Sequence, residues 1–148
     1  MNRDFAEMLS ALCEAGAEFL VVGAYALAAH GYVRATGDID IWVRSSDHNA
    51  DRVWAALLAY GAPLHGLSRQ DLVTPDLVFQ IGVPPSRVDM LTSVSGVTFD
   101  DAWSRRQIVT VEGLDVPVIG REDLIANKRA TGRSKDLGDV EELTRRKN

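Results

Sequence analysis

Asp38-Ile39-Asp40 is the part of this 148-residue chain whose residue types and spacing best suit chemistry. On a strand, residues i and i+2 share a face, so both carboxylates project together while Ile39 and Ile41 turn towards a core. Two carboxylates so close repel unless one takes up a proton or a cation lies between them. An all-oxygen ligand set selects Mg²⁺ or Mn²⁺ over zinc. Asp-x-Asp also occurs on solvent-facing strand edges, so the motif needs company. Asp89 offers it. Within Arg87-Val88-Asp89-Met90-Leu91 it is an acid between apolar neighbours, and a strand here buries Val88 and Met90 and sends Asp89 to the opposite face. If that strand lies beside the first, Asp38, Asp40 and Asp89 converge as ligands for two divalent ions about 4 Å apart. The alternative is an ion pair between Asp89 and Arg87, or another arginine, at the sheet edge.

Upstream, Gly23 lies between the apolar run Phe19–Val22 and an Ala-rich stretch over residues 24–29. Glycine admits close backbone approach, and the free N–H groups at a helix start attract an anion such as phosphate. An ordinary tight turn would need the glycine equally.

The elements that must hold these residues follow from periodicity. Phe5, Met8, Leu9, Leu12 and Cys13 repeat on one helical face, with Cys13 read as core and Gly16 as the stop. Phe19–Val22 predicts a buried strand, residues 24–29 a short helix closed by His30-Gly31, and residues 38–43 a strand. Asp47 is expected to cap a helix reaching Tyr60 and ended by Gly61. Residues 77–82 and 87–91 read as strands around Val83-Pro84-Pro85-Ser86, and residues 108–111 and 116–119 as a hairpin joined across Glu112-Gly113-Leu114-Asp115. Helices near residues 122–130 and 135–143 follow, interrupted by Thr131-Gly132-Arg133. With no repeat or linker in view, the expectation is a single α+β domain over residues 1–148, with C-terminal helices over about 121–148.

Composition narrows the function classes. At 46% hydrophobic and 25% charged residues the chain reads as soluble and globular. The single Cys13 excludes an internal disulfide or a Cys-rich zinc site and fits a reducing cytosol, hence a cytoplasmic location. No run approaches the roughly 20 apolar residues a bilayer needs, and Met1-Asn2-Arg3-Asp4 has no signal-peptide layout, so no membrane partner is expected. The net charge of −5 is uneven, with 8 basic and 15 acidic residues through Gly120 and 8 basic and 6 acidic after it. An acidic body argues against general duplex DNA binding. His30 reads as a helix end, and His48 and His65 have no spaced partner, so no metal is assigned to histidine. Trp42, Trp54 and Trp103 read as core or surface apolar contacts; Tyr25 and Tyr32 are candidates to border a nucleotide.

Taken in order, Val21-Val22-Gly23-Ala24, then Gly31-Tyr32-Val33-Arg34-Ala35-Thr36-Gly37-Asp38-Ile39-Asp40, then Val88-Asp89, resemble the nucleotidyltransferase superfamily of the DNA polymerase beta type. The likeness is greater to its small stand-alone bacterial members, near the minimal and abortive-infection nucleotidyltransferases. It extends to Gly82-Val83-Pro84-Pro85, to Ser95-Gly96-Val97, and to residues 122–133 with Lys135-Asp136-Leu137, so it covers nearly the whole chain. The resemblance implies a small mixed β-sheet flanked by helices, with a nucleoside triphosphate and two divalent ions, Mg²⁺ or Mn²⁺, at one end. It matches Asp38 and Asp40 to the first two metal-binding carboxylates, Asp89 to the third, which helps activate the attacking hydroxyl, and Gly23 to the phosphate-turn glycine. The implied reaction moves a nucleoside monophosphate from an NTP to a hydroxyl of an unidentified protein, RNA or small-molecule acceptor. Many members carry Gly-Ser or Gly-Gly at that turn, whereas Ala24 offers a backbone N–H without a hydroxyl. Arg34, Thr36, Lys128 and Arg133 are the candidates for compensating phosphate contacts; a salt bridge is the equal alternative for Arg34, and plain solvation the alternative for Lys128. Ala24 also motivates a second reading, a weak or inactive nucleotide-binding homologue working with a cognate protein in a toxin–antitoxin or defence pair. Glycosyltransferases need a larger domain, and Asp-x-Asp phosphatases need downstream elements that are not found.

Overall fold

The computed structural model describes residues 1–61, 63, 64 and 66–145, so His65 and the last residues of the expected C-terminal helical region, 146–148, lie outside it. In chain order the elements are α1 (Arg3–Glu14), β1 (Phe19–Val22), α2 (Gly23–Ala29), β2 (Asp38–Val43), α3 (Asp47–Tyr60), a 3-10 turn (Arg69–Val73), β3 (Val78–Ile81), β4 (Arg87–Leu91), α4 (Phe99–Ser104), β5 (Gln107–Val111), β6 (Leu114–Val118), α5 (Arg121–Thr131) and α6 (Ser134–Arg145). The strands form one sheet in the order β3-β4-β2-β1-β6-β5. β2 with β4 and β1 with β6 run parallel; the other neighbours are antiparallel. This is the expected α+β fold, a mixed sheet flanked by helices. Among the described residues no helix is long and apolar enough to cross a membrane.

Alternation along β2 and β4 divides the sheet into two faces. Ile39, Ile41, Val88 and Met90 are inaccessible to solvent and share one core with Phe5, Met8, Leu9 and Leu12 of α1 and Val53, Ala56 and Leu57 of α3. Burying each such side chain contributes about 1.5–3 kcal/mol, so this layer is what holds the strands in register. The opposite face of β2 runs from Asp38 through Asp40 to Trp42. Trp42 is roofed by α4, where Phe99 meets it edge-on at 5.1 Å and Trp103 stacks on Phe99 at 5.7 Å. The sheet face is therefore apolar where α4 covers it and acidic where it opens.

Several local details differ from expectation. Ser46, not Asp47, caps α3: its hydroxyl accepts from Asn49 N at 3.2 Å, and Asp47 is a first-turn acid facing the helix dipole. The hairpin is tighter than expected, with longer strands and a turn at Glu112-Gly113. Both residues are left-handed, at φ 50° and 79°, which matches the twist of a two-residue hairpin connection. Cys13 is only half-buried at the edge of the core. α4 and the 3-10 turn have no counterpart in the periodicity reading. α4 is nevertheless marked by Thr98, whose hydroxyl accepts from Asp101 N, ahead of Asp100 and Asp101.

Candidate active site

The parallel register of β2 and β4 sets Asp40 beside Asp89 and Asp38 beside Arg87. Strand parity then puts all three carboxylates on one face. Among the described residues, Asp38, Asp40 and Asp89 each offer an oxygen within 4.8 Å of the others, close enough to ligate a shared metal ion. The three acids converge and Asp89 also meets Arg87, because Arg87 joins the group. Its Nη2 donates to Asp38 Oδ2 at 2.6 Å and to Asp89 Oδ2 at 3.2 Å. Its Nε lies 3.0 Å from Asp89 Oδ1, yet both atoms are buried without a hydrogen bond, so this contact is close but misaligned.

Two further residues shape the row of acids. Thr36 Oγ1 donates to Asp38 Oδ1 at 2.8 Å, fixing that carboxylate from the connection before β2. Gly23 opens α2 with φ +67°, and a Cβ built on it would stand 2.9 Å from Asp40 Cγ and nearer still to Oδ2. The glycine is required by the acid lying against it, more than by the turn.

The three acids differ in how readily they ionise. Burial opposes the charge on Asp38, but hydrogen bonds from Thr36 and Arg87 outweigh it and hold the carboxyl below its usual range. Asp89 is raised, by burial first and then by its interaction with Asp38, against the pull of Arg87. Asp40 is pushed up to about 7 by burial and then by the charges of Asp38 and Asp89. Among the described residues none donates a hydrogen bond to the Asp40 carboxylate. The charges of Arg87 and Lys128 pull the Asp40 carboxyl down but do not offset its burial and the neighbouring acids; an Asp89 oxygen without a hydrogen bond beside Asp40 is a donor set that fits a hard divalent cation.

Of the three acids, Asp40 lines a cleft of about 440 Å³. Gly23 and Asp40 line its floor; Val78, Leu91, Ser93, Val94 and Ser95 line one wall, and Asn127, Lys128, Thr131, Arg133 and Asp136, from α5, α6 and their connection, the other. The cleft thus brings together Gly23, Asp40, Lys128 and Arg133, with Asp38 and Asp89 beside Asp40. Ala24, Arg34 and Thr36 are outside its lining. Tyr25 packs edge-on against Phe5 at 5.7 Å, and neither Tyr25 nor Tyr32 lines the cleft. Asn127 Nδ2 donates to Ser95 O at 2.9 Å and ties the walls together, a contact between distant segments that no sequence pattern announces.

The basic wall is built from buried ions. Lys128, 6% exposed, places Nζ at 3.3 Å from Asp136 Oδ1 and 2.9 Å from Asp139 Oδ2. Arg34 reaches Asp139 Oδ1 at 2.5 Å, the salt-bridge alternative for that residue. Asp136 Oδ2 also accepts from Thr131 Oγ1 at 2.6 Å and Arg133 Nε at 2.7 Å. Burial opposes ionisation of Asp136, but hydrogen bonds from Thr131 and Arg133 and the charge of Lys128 lower it to about 2. A carboxyl depressed in the folded state stabilises the fold above its unfolded value near 4, and that contribution disappears as pH falls towards 2. Asp136→Asn is therefore expected to cost about 2 kcal/mol at pH 7, with the gap to wild type closing between pH 4 and pH 2 in urea unfolding.

Comparison with known proteins adds an independent line. The family model "Nucleotidyl transferase of unknown function (DUF2204)" matches residues 1–148. Among solved structures, the fold is similar to that of a candidate nucleotidyltransferase from Thermotoga maritima, with a TM-score of 0.64 and 15% identity over 98% of this chain and 92% of that one. No curated protein sequence matches.

Proposed function

Because the chain belongs to this family of nucleotidyl transferases of unknown function, we propose that it moves a nucleoside monophosphate from an NTP to a hydroxyl of an acceptor, through the cleft above Asp40. The observation that carries the reading is the convergence of Asp38, Asp40 and Asp89 from two adjacent strands, with Asp40 lining a cleft that has a basic wall. In finer terms the reading is a polymerase-beta-type site on one domain, close to the minimal and abortive-infection members. Asp38, Asp40 and Asp89 would hold Mg²⁺ or Mn²⁺, as one ion or a pair. Such an ion supplies Lewis acidity and offsets triphosphate charge.

The chain's own residues do the rest. Gly23 lets the Asp40 carboxylate lie against the backbone at the start of α2, where both residues line the cleft. Arg133 spends Nε on Asp136 and is otherwise 76% exposed on its side chain, which leaves its terminal nitrogens for phosphate oxygens. Lys128 contributes field and not a contact, since its ammonium is held by Asp136 and Asp139. Val78, Leu91 and Val94 give the opposite wall an apolar surface suited to a base. In the transfer, the acceptor oxygen forms a bond to the α-phosphorus, the bond from that phosphorus to the bridging oxygen breaks, and pyrophosphate leaves. The hydroxyl proton passes to a carboxylate of the row or to solvent. Family and fold favour transfer over a purely binding role in a two-protein pair.

Calorimetric titration of ATP, CTP, GTP and UTP with Mg²⁺ or Mn²⁺, and incubation of labelled NTP with cell extract, test the proposal. The double variant Asp38→Asn with Asp40→Asn is expected to lose metal-dependent nucleotide binding and to cut transfer by at least about 10³-fold. Nucleotide binding unchanged in the double variant would refute it.

A further inference from the structure

We infer that Arg87 is the resident counter-cation of the carboxylate row, and that a divalent ion enters by displacing its guanidinium from Asp38 and Asp89. The inference rests on the metal reading above. Three observations support it. Arg87 is built into the row: it precedes Asp89 by two residues on β4, shares that strand face, and is in register with Asp38. Its nitrogens engage oxygens of two of the three carboxylates that would ligate a metal, so guanidinium and metal ion compete for the same ligands.

The second observation is that the grip is incomplete. A guanidinium meets a carboxylate best as a fork, with two parallel hydrogen bonds. Here Nε and Asp89 Oδ1 face each other at 3.0 Å without forming one, so leaving the site surrenders less than a full bidentate pair. Arg87 is the one cation that touches these carboxylates among the described residues and it reaches only two of them, whereas a divalent ion offsets more of their charge.

The third is room to leave. The Arg87 side chain is 29% exposed, so its head can move into water on its long stem. Lys128 provides the contrast: enclosed between two buried aspartates, it has no such exit and serves the wall permanently. Arg87 therefore holds the row together before metal arrives and yields it afterwards.

Mn²⁺ and Mg²⁺ titrations without nucleotide, read by calorimetry and by thermal unfolding, test the exchange in wild type, Arg87→Gln and Arg87→Lys. Arg87→Gln is expected to bind Mn²⁺ at least about tenfold more tightly, to melt lower than wild type without metal, and to gain more from added metal. Arg87→Lys keeps a charge but cannot span two carboxylates, so its affinity should fall between the two; it carries the test if the Gln variant does not fold without metal. Affinity unchanged or weaker in both variants overturns the exchange and makes Arg87 a fixed positioning residue. If wild type, Arg87→Gln and Asp38→Asn with Asp40→Asn all fail to bind Mn²⁺, the metal reading falls too, an outcome distinct from failure of the exchange alone.

Discussion

Gly23→Ala is expected to abolish nucleotide transfer in a protein that still folds. The new methyl would stand 2.9 Å from Asp40 Cγ, inside contact distance, so the carboxylate must leave its place in the row. Asp40 cannot yield by a small rotation without losing its alignment with Asp89, its register partner on β4. The backbone adds to the effect, because alanine at φ +67° costs about 1–2 kcal/mol. Transfer should fall at least about 10³-fold and metal affinity should fall with it. The melting temperature should drop by only several degrees, with an unchanged far-ultraviolet circular dichroism spectrum. A fully active Gly23→Ala protein would show that Asp40 does not work from the position described.

Lys128→Met should have the largest effect on stability. Removing the ammonium leaves Asp136 and Asp139, with side chains only 5% and 2% exposed, short of their shared cation. Stripping one partner from a buried ion cluster costs about 3–5 kcal/mol, even where replacing the whole cluster by apolar residues would be neutral. The loss should appear in urea unfolding as a lower midpoint with an unchanged slope. Combining Lys128→Met with Asp139→Leu should recover part of it, although Arg34 then loses its carboxylate. If Lys128→Met costs under about 1 kcal/mol, the cluster is solvated enough to behave as a surface pair.

The sequence revealed those parts of the molecule that obey a short repeat. Parity alone places Asp38, Asp40 and Asp89 on the face opposite Ile39, Ile41, Val88 and Met90, and the structure has them there. What parity lacks is register. Arg87 could be read as a partner for Asp89, but its hold on Asp38 depends on β4 running parallel to β2 with those two residues side by side. Lys128 reads from sequence as well as a solvated helical lysine as a phosphate contact, because the aspartates that enclose it lie on the next helix and no pattern within α5 reveals them. α4 has only six residues, too few for a period, so its cap at Thr98 was its sole signal. Asp47 suits an N-cap by residue type, and so does Ser46; the extended backbone of Ser46 and the bond its hydroxyl accepts from Asn49 N decide for Ser46.

Both acid-bearing strands are interior to the sheet: β4 lies between β3 and β2, and β2 between β4 and β1. Asp40 and Asp89 have strand partners on both sides and Asp38 has one in β4, whereas the connections around Asp76 and Ser93 to Ser95, which wall the cleft, lie outside the six strands of the sheet. Stiffness and variability are thereby assigned to different parts of the chain. The loops can lengthen, shorten or change sequence, and so alter what the cleft admits, while the carboxylates keep their spacing. A scaffold of this kind can change what its cleft admits by drift in its walls while the carboxylate row stays as it is.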